Sequence, residues 1–457
     1  MQKMKNGKKV LSVCLSLAMA AGMLSTSAFA SWNVYGGSNN HNAVVTEAPT
    51  RPDKSGLDSY IQLHCTGSGW DGVDNVPVLQ TVNGTTYAYV LYDGYGASGA
   101  LVAKVRCAEN GGSSIVWTTD PYGTEGTSLN AKSGFQLSTP YLDDNGTPND
   151  ASDDTLYVGT ISQYDDYEGG EWLTGTGSKV MALTGLDQNK PTVTNVLTGI
   201  NGQINTPITT DGTYLYFGTW PGGSRAGTYY QVKLSDYSVK TFTPDSYGFY
   251  WAGAVSDGTN VYFGSDNGLL YWRSIADFDT TGGVLDLTDV ASDAGNVRST
   301  VMLDDGYLYF TTQGGYLWCC SYDDGLTVEW HKKLGATSTS TPTKVGDRIY
   351  VGYYSGFNAG GVQCVSADGS SVKTVVEGDG FPVQSSIVVM GDGTGTDYLY
   401  FNTNAQKGVG YCYSYDGTTG SQVWGTTGDT YALGGMAIDN GYAVFGNDYN
   451  HLYVVHD

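Results

Sequence analysis

The chain has 457 residues, 65 of them Gly and 36 Tyr, with 13% aromatic and only 15% charged residues. Aromatics at that density exclude a disordered chain. The composition is also far from the Ala-, Glu-, Lys-, Leu- and Arg-dominated make-up of coiled coils and long helices. A net charge of −23 excludes nucleic acid as a partner, because phosphate contacts need basic patches.

Residues 1–30 read as a secretory signal peptide. Lys3, Lys5, Lys8 and Lys9 precede the apolar stretch Val10 to Leu24, and Ala28-Phe29-Ala30 supplies a small-x-small cleavage site. The apolar run falls short of the roughly 20 residues that span a bilayer, and no later segment is apolar enough. An exported chain without a membrane span is expected. Export permits disulfides, and Cys65, Cys107, Cys319, Cys320, Cys364 and Cys412 remain after cleavage. Their pairing is open. Similar places of Cys319, Cys364 and Cys412 in successive repeats favour small buried hydrophobes.

Residues 31–56 are expected to form an extended N-terminal segment. From there the chain is one motif written eight times: a polar turn, alternating apolar residues, Tyr, an apolar residue and usually Gly. Tyr89-Val90 opens the series in degenerate form. Leu156-Tyr157-Val158-Gly159, Leu215-Tyr216-Phe217-Gly218, Val261-Tyr262-Phe263-Gly264, Leu308-Tyr309-Phe310, Ile349-Tyr350-Val351-Gly352 and Leu399-Tyr400-Phe401 follow, and Ala443-Val444-Phe445-Gly446 ends it. Periods of this size mark β-propeller blades. Turns such as Asp211-Gly212, Asp257-Gly258, Asp305-Gly306 and Asn440-Gly441 precede the motif and are strong hairpin signals. The fold expected is all-β: an eight-bladed propeller of four-stranded antiparallel blades, forming a single domain over 57–457, with seven blades as the alternative. The last repeat stops after three strands, so residues 57–65 are expected to supply its outer strand and close the ring. An unclosed sheet edge would invite aggregation.

Near the C-terminus, Ser414-Tyr415-Asp416-Gly417-Thr418-Thr419-Gly420-Ser421-Gln422-Val423-Trp424 resembles the tryptophan-docking repeat of pyrroloquinoline quinone (PQQ) propellers, the quinoprotein alcohol dehydrogenase-like family. Asp416, Thr419, Gly420 and Trp424 match its pattern, and Ser414 replaces an alanine. Thr139-Pro140, Thr206-Pro207, Thr341-Pro342 and the stretch Trp32 to Gly37 are similar to other parts of the repeat. The resemblance implies a docking role for these four residues: Asp416, Thr419 and Gly420 shape a turn that aims Trp424. For enzymes of the family it also implies PQQ, calcium and oxidation of alcohols or sugars, with Cys319-Cys320 as the counterpart of an adjacent-cysteine disulfide. Cys319 and Cys320 sit inside a strand, however, where successive side chains face opposite ways. No calcium-ligand set and no haem-attachment motif accompany them.

Other chemistry leaves no clear mark. His41, His64, His331, His451 and His456 form no zinc-type pair, and no nucleophile elbow or P-loop appears. The Asp-rich run from Asp143 to Asp154 offers oxygen ligands of the kind calcium takes. Thr147 breaks the EF-hand spacing and no glutamate closes it, so a solvated turn is expected.

What distinguishes the two faces of the ring is loop content. One carries tight Asp-Gly turns. The other carries long connections rich in aromatics: Trp70, Trp172, Trp220, Trp251, Tyr353 and Tyr354, with Tyr92, Tyr95, Tyr247, Phe249, Tyr250 and Phe357 beside them. Elaborated loops on rigid scaffolds commonly carry function, and aromatic platforms suit sugar rings and protein hot spots. The expectation is a secreted, monomeric, non-catalytic propeller that binds a glycan or protein ligand through this face and carries no cofactor. A PQQ- and calcium-dependent oxidoreductase and an assembly scaffold are the alternatives.

Overall fold

A computed structural model describes residues 31–457, apart from 65–71, 95–97, 132–137, 162–163, 169–170, 175–176 and 324. Eight four-stranded antiparallel sheets follow one another along the chain and form an eight-bladed propeller. Blade 1 comprises Val78–Val82, Thr85–Asp93, Ala100–Arg106 and Ser114–Thr118. Blade 2 comprises Tyr141–Asp143, Thr155–Gly159, Ser178–Thr184 and Thr192–Ile200. The inner strands of blades 3 to 7 are Thr209–Thr210, Val255–Ser256, Met302–Asp304, Thr343–Val345 and Val388–Met390.

Blade 8 has Ala437–Asp439, Tyr442–Gly446 and His451–Val455, and takes its fourth strand from the N-terminal side of the chain. Ile61 pairs with Leu452 and Gln62 with His451. The closing strand is shorter than the sequence suggested. Lys54–Leu57 turns into a short helix instead, and only Ile61–Gln62 joins the sheet. Tyr60 stacks on His451 at 3.6 Å, and the His451 ring lies 2.9 Å from both Asp429 Oδ2 and Gln62 Oε1, so side chains reinforce a two-residue ladder.

The hydrophobic core is divided among the junctions between blades. One buried cluster joins blades 1 and 2, another blades 2 and 3, and so on round the ring, until a larger cluster joins blades 7, 8 and 1 with the N-terminal segment. These junctions explain the repeat. The Tyr ring of the motif is buried in blades 1 to 7, with Val444 in its place in blade 8, and in blades 3 and 4 the tyrosine hydroxyl donates to the turn carboxylate, Tyr216 to Asp211 at 2.8 Å and Tyr262 to Asp257 at 2.7 Å. The Gly that follows lies where the connection to the next blade passes. A Cβ there would sit 2.6 Å from Phe249 Cβ at Gly218, 2.2 Å from Val297 Cγ1 at Gly264 and 2.5 Å from Val383 Cγ1 at Gly352. Any larger residue would push the blades apart.

Tryptophan docking recurs between blades. Trp330 of blade 5 lies against Gly369 in the outer hairpin of blade 6, where a Cβ would come within 2.6 Å of its ring. The Trp117 indole of blade 1 donates to Leu186 O in the matching hairpin of blade 2 at 3.4 Å. Blade 8 has no such hairpin, because its outer strand comes from elsewhere in the chain. Trp424 accordingly donates to Pro49 O of the N-terminal segment at 2.8 Å. Asp416 Oδ1 accepts from the Thr418 hydroxyl and from the Thr419 and Thr418 amides, which together hold its carboxyl down at about 2. Gly420 allows that strand to approach Val375 O, 2.1 Å from where a Cβ would stand.

The N-terminal segment departs most from expectation. Trp32 to Gly37, which is similar to part of the repeat, forms a 3-10 turn at Tyr35–Gly37 and lies across the hub. The Leu79, Leu142, Leu303 and Val389 amides donate to Trp32 O, Asn33 O, Asn40 O and Ala43 O, so blades 1, 2, 5 and 7 all hold it. Asn42 exchanges two bonds with the Lys344 backbone of blade 6, and His41 Nε2 lies 2.7 Å from Ala254 O beside blade 4. Val44–Val45 then runs parallel to the inner strand of blade 7. Inner strands of a propeller leave their neighbour-facing groups paired but their hub-facing amides free. This segment supplies acceptors for them.

Candidate functional site

Inner strands run from the face of the blade-to-blade connections toward the face of the tight turns. The N-terminal segment meets them well along that path, near the tight-turn end. The channel is therefore blocked there and open at the connection face, where it forms a funnel of about 480 Å³ counting the mouth. All eight blades contribute to its wall, and Tyr35 forms the floor. The Tyr35 hydroxyl meets Thr341 Oγ1 at 3.0 Å, and burial pushes its pKa up.

The Thr-Pro dipeptides build this wall. Proline at the start of an inner strand forfeits no ladder bond, and the threonine hydroxyls tie neighbouring blades together. Thr139 Oγ1 accepts from the Val76 amide, and Thr341 Oγ1 from the Thr300 amide. Thr300 Oγ1 in turn accepts from the Gly253 amide. Hydroxyls thus brace three of the blade junctions along the wall.

An aromatic platform stands on one side of the mouth. Trp220 meets Tyr250 edge-to-face at 5.1 Å, and Tyr250 adjoins Trp251 at 4.8 Å. Arg298 lies over the Tyr250 ring at 4.3 Å and grips Asp266 with two bonds of 2.6 and 2.5 Å. The Trp220 indole donates to the same carboxylate at 3.0 Å. Trp251 itself lines the funnel and adopts φ +58°, with Tyr247 at φ +63° four residues earlier. Left-handed backbone at bulky residues is uncommon and costs energy. It is held by bonds from the Gly227 amide to Tyr247 O, Tyr247 amide to Ser224 O and Phe249 amide to Thr219 O. The platform is therefore set before any ligand arrives.

The sequence-based candidates fall into distinct places. Trp251 lines the funnel and Trp220 supports the platform. Tyr354 is half-buried, close enough to Arg298 for the two to interact and within bonding reach of Gln313 and Thr339. Tyr353 is buried away from the funnel, with its ring against Gly335 and its hydroxyl 3.3 Å from Glu377. Trp172 lies on a short hairpin, Tyr164–Glu168 with Glu171–Thr174, inserted between the second and third strands of blade 2. Trp70 and Tyr95 lie outside the described residues. Phe249 and Tyr92 are buried within the blades. Phe357, 58% exposed, meets Tyr431 at 5.6 Å on this same face, a contact between two loops that no local sequence pattern signals.

Asp74, Asn75 and Asn205 also line the funnel, and sequence reasoning passed over them because they sit in irregular connections. Asn75 Nδ2 donates to Leu91 O and Asn205 Nδ2 to Gln203 Oε1, while both side-chain oxygens are buried without a partner.

Among the described residues, those that the family resemblance singles out do not fit the cofactor it implies. Cys319 and Cys320 lie mid-strand in blade 5, in two different junction clusters on opposite sheet faces, and neither lines the funnel. Both are free thiols, as are Cys107, Cys364 and Cys412, and burial pushes Cys319 up to about 12. Among the described residues, no three His, Cys, Asp or Glu side chains converge as a metal site would require. The Asp143–Asp154 loop instead bonds to itself, with Asn145 Nδ2 on Asp153 O and Thr147 Oγ1 on Asp153 Oδ1.

No protein-family model matches the chain, and no curated protein matches it by sequence. Solved structures share its fold. Quinohemoprotein alcohol dehydrogenase from Comamonas testosteroni aligns at 10% identity over 92% of this chain and 77% of its own, with a TM-score of 0.57. Sqt1 of Saccharomyces cerevisiae aligns at 12% identity over 90% and 99%, with a TM-score of 0.52. BamB from Moraxella catarrhalis aligns at 14% identity over 88% and 97%, with a TM-score of 0.51. At such identities the likeness is one of fold, a β-propeller. No helix among the described residues is long and apolar enough to cross a membrane.

Proposed function

We propose that the chain is an exported, non-catalytic propeller that binds a glycan or protein ligand through its connection face. The observation that carries this reading is the asymmetry of the hub. One end is filled by the chain's own N-terminal segment, and the other opens between pre-set aromatic rings. Rings held by neighbouring loops lose little entropy on binding, which favours affinity. Bracing of Trp251 in a strained conformation fits a recognition surface better than a structural one. The fold alone hosts many functions, so the site has to carry the argument.

Binding is tested on a glycan array and by pull-down from the medium in which the protein is exported. The combined changes Trp172→Ala, Trp220→Ala and Trp251→Ala should abolish capture while the blades stay folded. Capture unaffected by all three would remove this face from consideration. Incubation with PQQ and calcium, followed by dye reduction over alcohols and sugars, separates the oxidoreductase alternative. Turnover there would overturn the non-catalytic reading.

A further inference from the structure

Blades 1 and 5 share one constellation of side chains where each meets the next blade. In blade 5, Tyr309 of the second strand pairs with Cys319 of the third, and Cys319 with Trp330 of the fourth. In blade 1 the same register pairs Tyr89 with Lys104 and Lys104 with Trp117, so Lys104 is the counterpart of Cys319 and Tyr87 of Tyr307. A bulge follows at the same point in both blades. The rings agree in pose: Tyr89 and Trp117 lie 6.2 Å apart at 51°, and Tyr309 and Trp330 lie 6.2 Å apart at 56°. In blade 1 the Lys104 ammonium fills the place between them. It lies 4.2 Å from the Tyr87 ring centre and 5.5 Å from that of Tyr89, and donates to Leu186 O of blade 2 at 2.9 Å. The Asp154 and Asp187 carboxylates are close enough to attract it. Blade 7 repeats the set as Tyr400, Cys412 and Trp424, and there the N-terminal segment closes over it at Pro49.

In blade 5 the short Cys319 thiol stops within bonding reach of the Tyr309 hydroxyl. A cleft of about 1180 Å³ counting its mouth opens there, between blades 5 and 6. Tyr309 and Cys319 form its buried floor, and Tyr307, 38% exposed, and the half-buried Trp330 stand at its sides. Asp347, which precedes the second strand of blade 6 as Asp154 precedes that of blade 2, lines it together with Asp305 and Glu329, and all three are exposed. Lys344, the cation in the wall, is bonded to Asp304. Among the described residues no cation lies over the Tyr307, Tyr309 or Trp330 ring. We propose that this cleft binds an alkylammonium group from solution, the chemistry that Lys104 supplies from within the chain at blade 1. Ring faces attract such a cation, and its three donors suit the surrounding carboxylates, which would repel an anion. The cleft opens among the tight turns that carry Asp305 and Asp347, so it stands apart from the connection face and does not depend on it.

Two probes carry the group, pentane-1,5-diamine as a free amine and Nα-acetyl-lysine N-methylamide as a lysine side chain. Each is titrated into the isotope-labelled full chain, with the Trp330 indole signal, assigned through Trp330→Phe, as the reporter. The probes should shift that signal, and acetylating the lysine probe at Nε should weaken its binding about tenfold. Tyr307→Ala should weaken binding about threefold and Asp347→Asn about twofold or more. Cys319→Lys rebuilds the blade 1 arrangement, so it should seat its own ammonium in the cleft and abolish binding. Tyr307 and Asp347 are exposed, so their variants decide the matter if Cys319→Lys folds poorly. Binding of the diamine alone would assign the cleft to free amines, and binding of the lysine probe alone to a protein ligand; either supports the proposal. No shift with either probe, equal binding of the acetylated form, or undiminished binding by a folded Cys319→Lys would each overturn it.

Discussion

Replacing Trp32 by Ala tests whether the N-terminal segment fills the hub. The indole is 3% exposed and belongs to the largest buried cluster, which joins blades 7, 8 and 1. Its ring also lies over Gly37, where a Cβ would come within 2.6 Å of Cε3 at φ +69°. Truncating a fully packed Trp costs about 3–5 kcal/mol, because a cavity is left that the braced blades cannot fill. The bond from the Leu79 amide to Trp32 O survives the change, so the loss isolates packing. For a chain this long, each kcal/mol moves the melting temperature by only about 1 °C. The urea midpoint is therefore the better readout, at constant slope m. Gly37→Ala should destabilise through the same contact, and the double variant should lose less than the sum of the two. A loss below about 1 kcal/mol for Trp32→Ala, the size of a surface change, would show that the segment does not occupy the hub.

Other outcomes follow from the same contacts. Deleting residues 31–66 removes both the plug and the closing strand, so the truncated protein should melt well below the parent and associate through the exposed edge of His451–Val455. A monomer with an unchanged melting temperature would refute ring closure. Gly218→Ala should cost about 1–3 kcal/mol by forcing a Cβ onto Phe249, and a neutral result in urea would contradict the close-approach account of the repeat. Burial pushes the Asp154 and Asp439 carboxyls up to about 6. The folded state then binds their protons more tightly than the unfolded chain, so their contribution is greatest below about pH 4 and is lost as pH rises through about 6. Asp154→Asn should flatten the change in urea midpoint between pH 5 and pH 7.5, and an unaltered slope would count against it. Burial also pushes the Cys412 thiol up to about 12, so the five described cysteines should resist iodoacetamide until the protein is unfolded. Rapid labelling of any of these five in the native protein, located by peptide mapping, would contradict their burial.

Legibility in the sequence followed the range of the interactions. The Tyr and Gly of each repeat announce blades because the same junction recurs and makes the same demand, a buried ring with its neighbour Gly under the passing connection. Asp211 and Asp257 signal hairpins because their turns are local. Trp32 and Val34 gave no such signal of a hub plug. Their partners lie in blades scattered along the chain, so no local pattern marks them. Leu57 was read as part of the closing strand because apolar alternation was the available guide, whereas Lys54–Leu57 curls and leaves two residues to pair. At the site, Trp220 and Trp251 were legible as aromatics in long loops. Tyr353 was not separable from Tyr354 by composition, since adjacent strand residues face opposite ways and one ring goes inward. Asn75 and Asn205 reach the funnel from irregular connections, a placement that only the folded chain reveals.

The central claim is that function resides at the open end of the hub, and amide hydrogen exchange measures this directly. The full chain, alone and saturated with the ligand captured on the array or by pull-down, would be followed peptide by peptide. The account predicts added protection in the connections carrying Asp74 to Val76, Trp220, Tyr247 to Trp251 and Tyr354, with the Asp211-Gly212 and Asp257-Gly258 turns unchanged. Protection concentrated in those turns and in Trp32 to Val45, with none around Trp251, would contradict it.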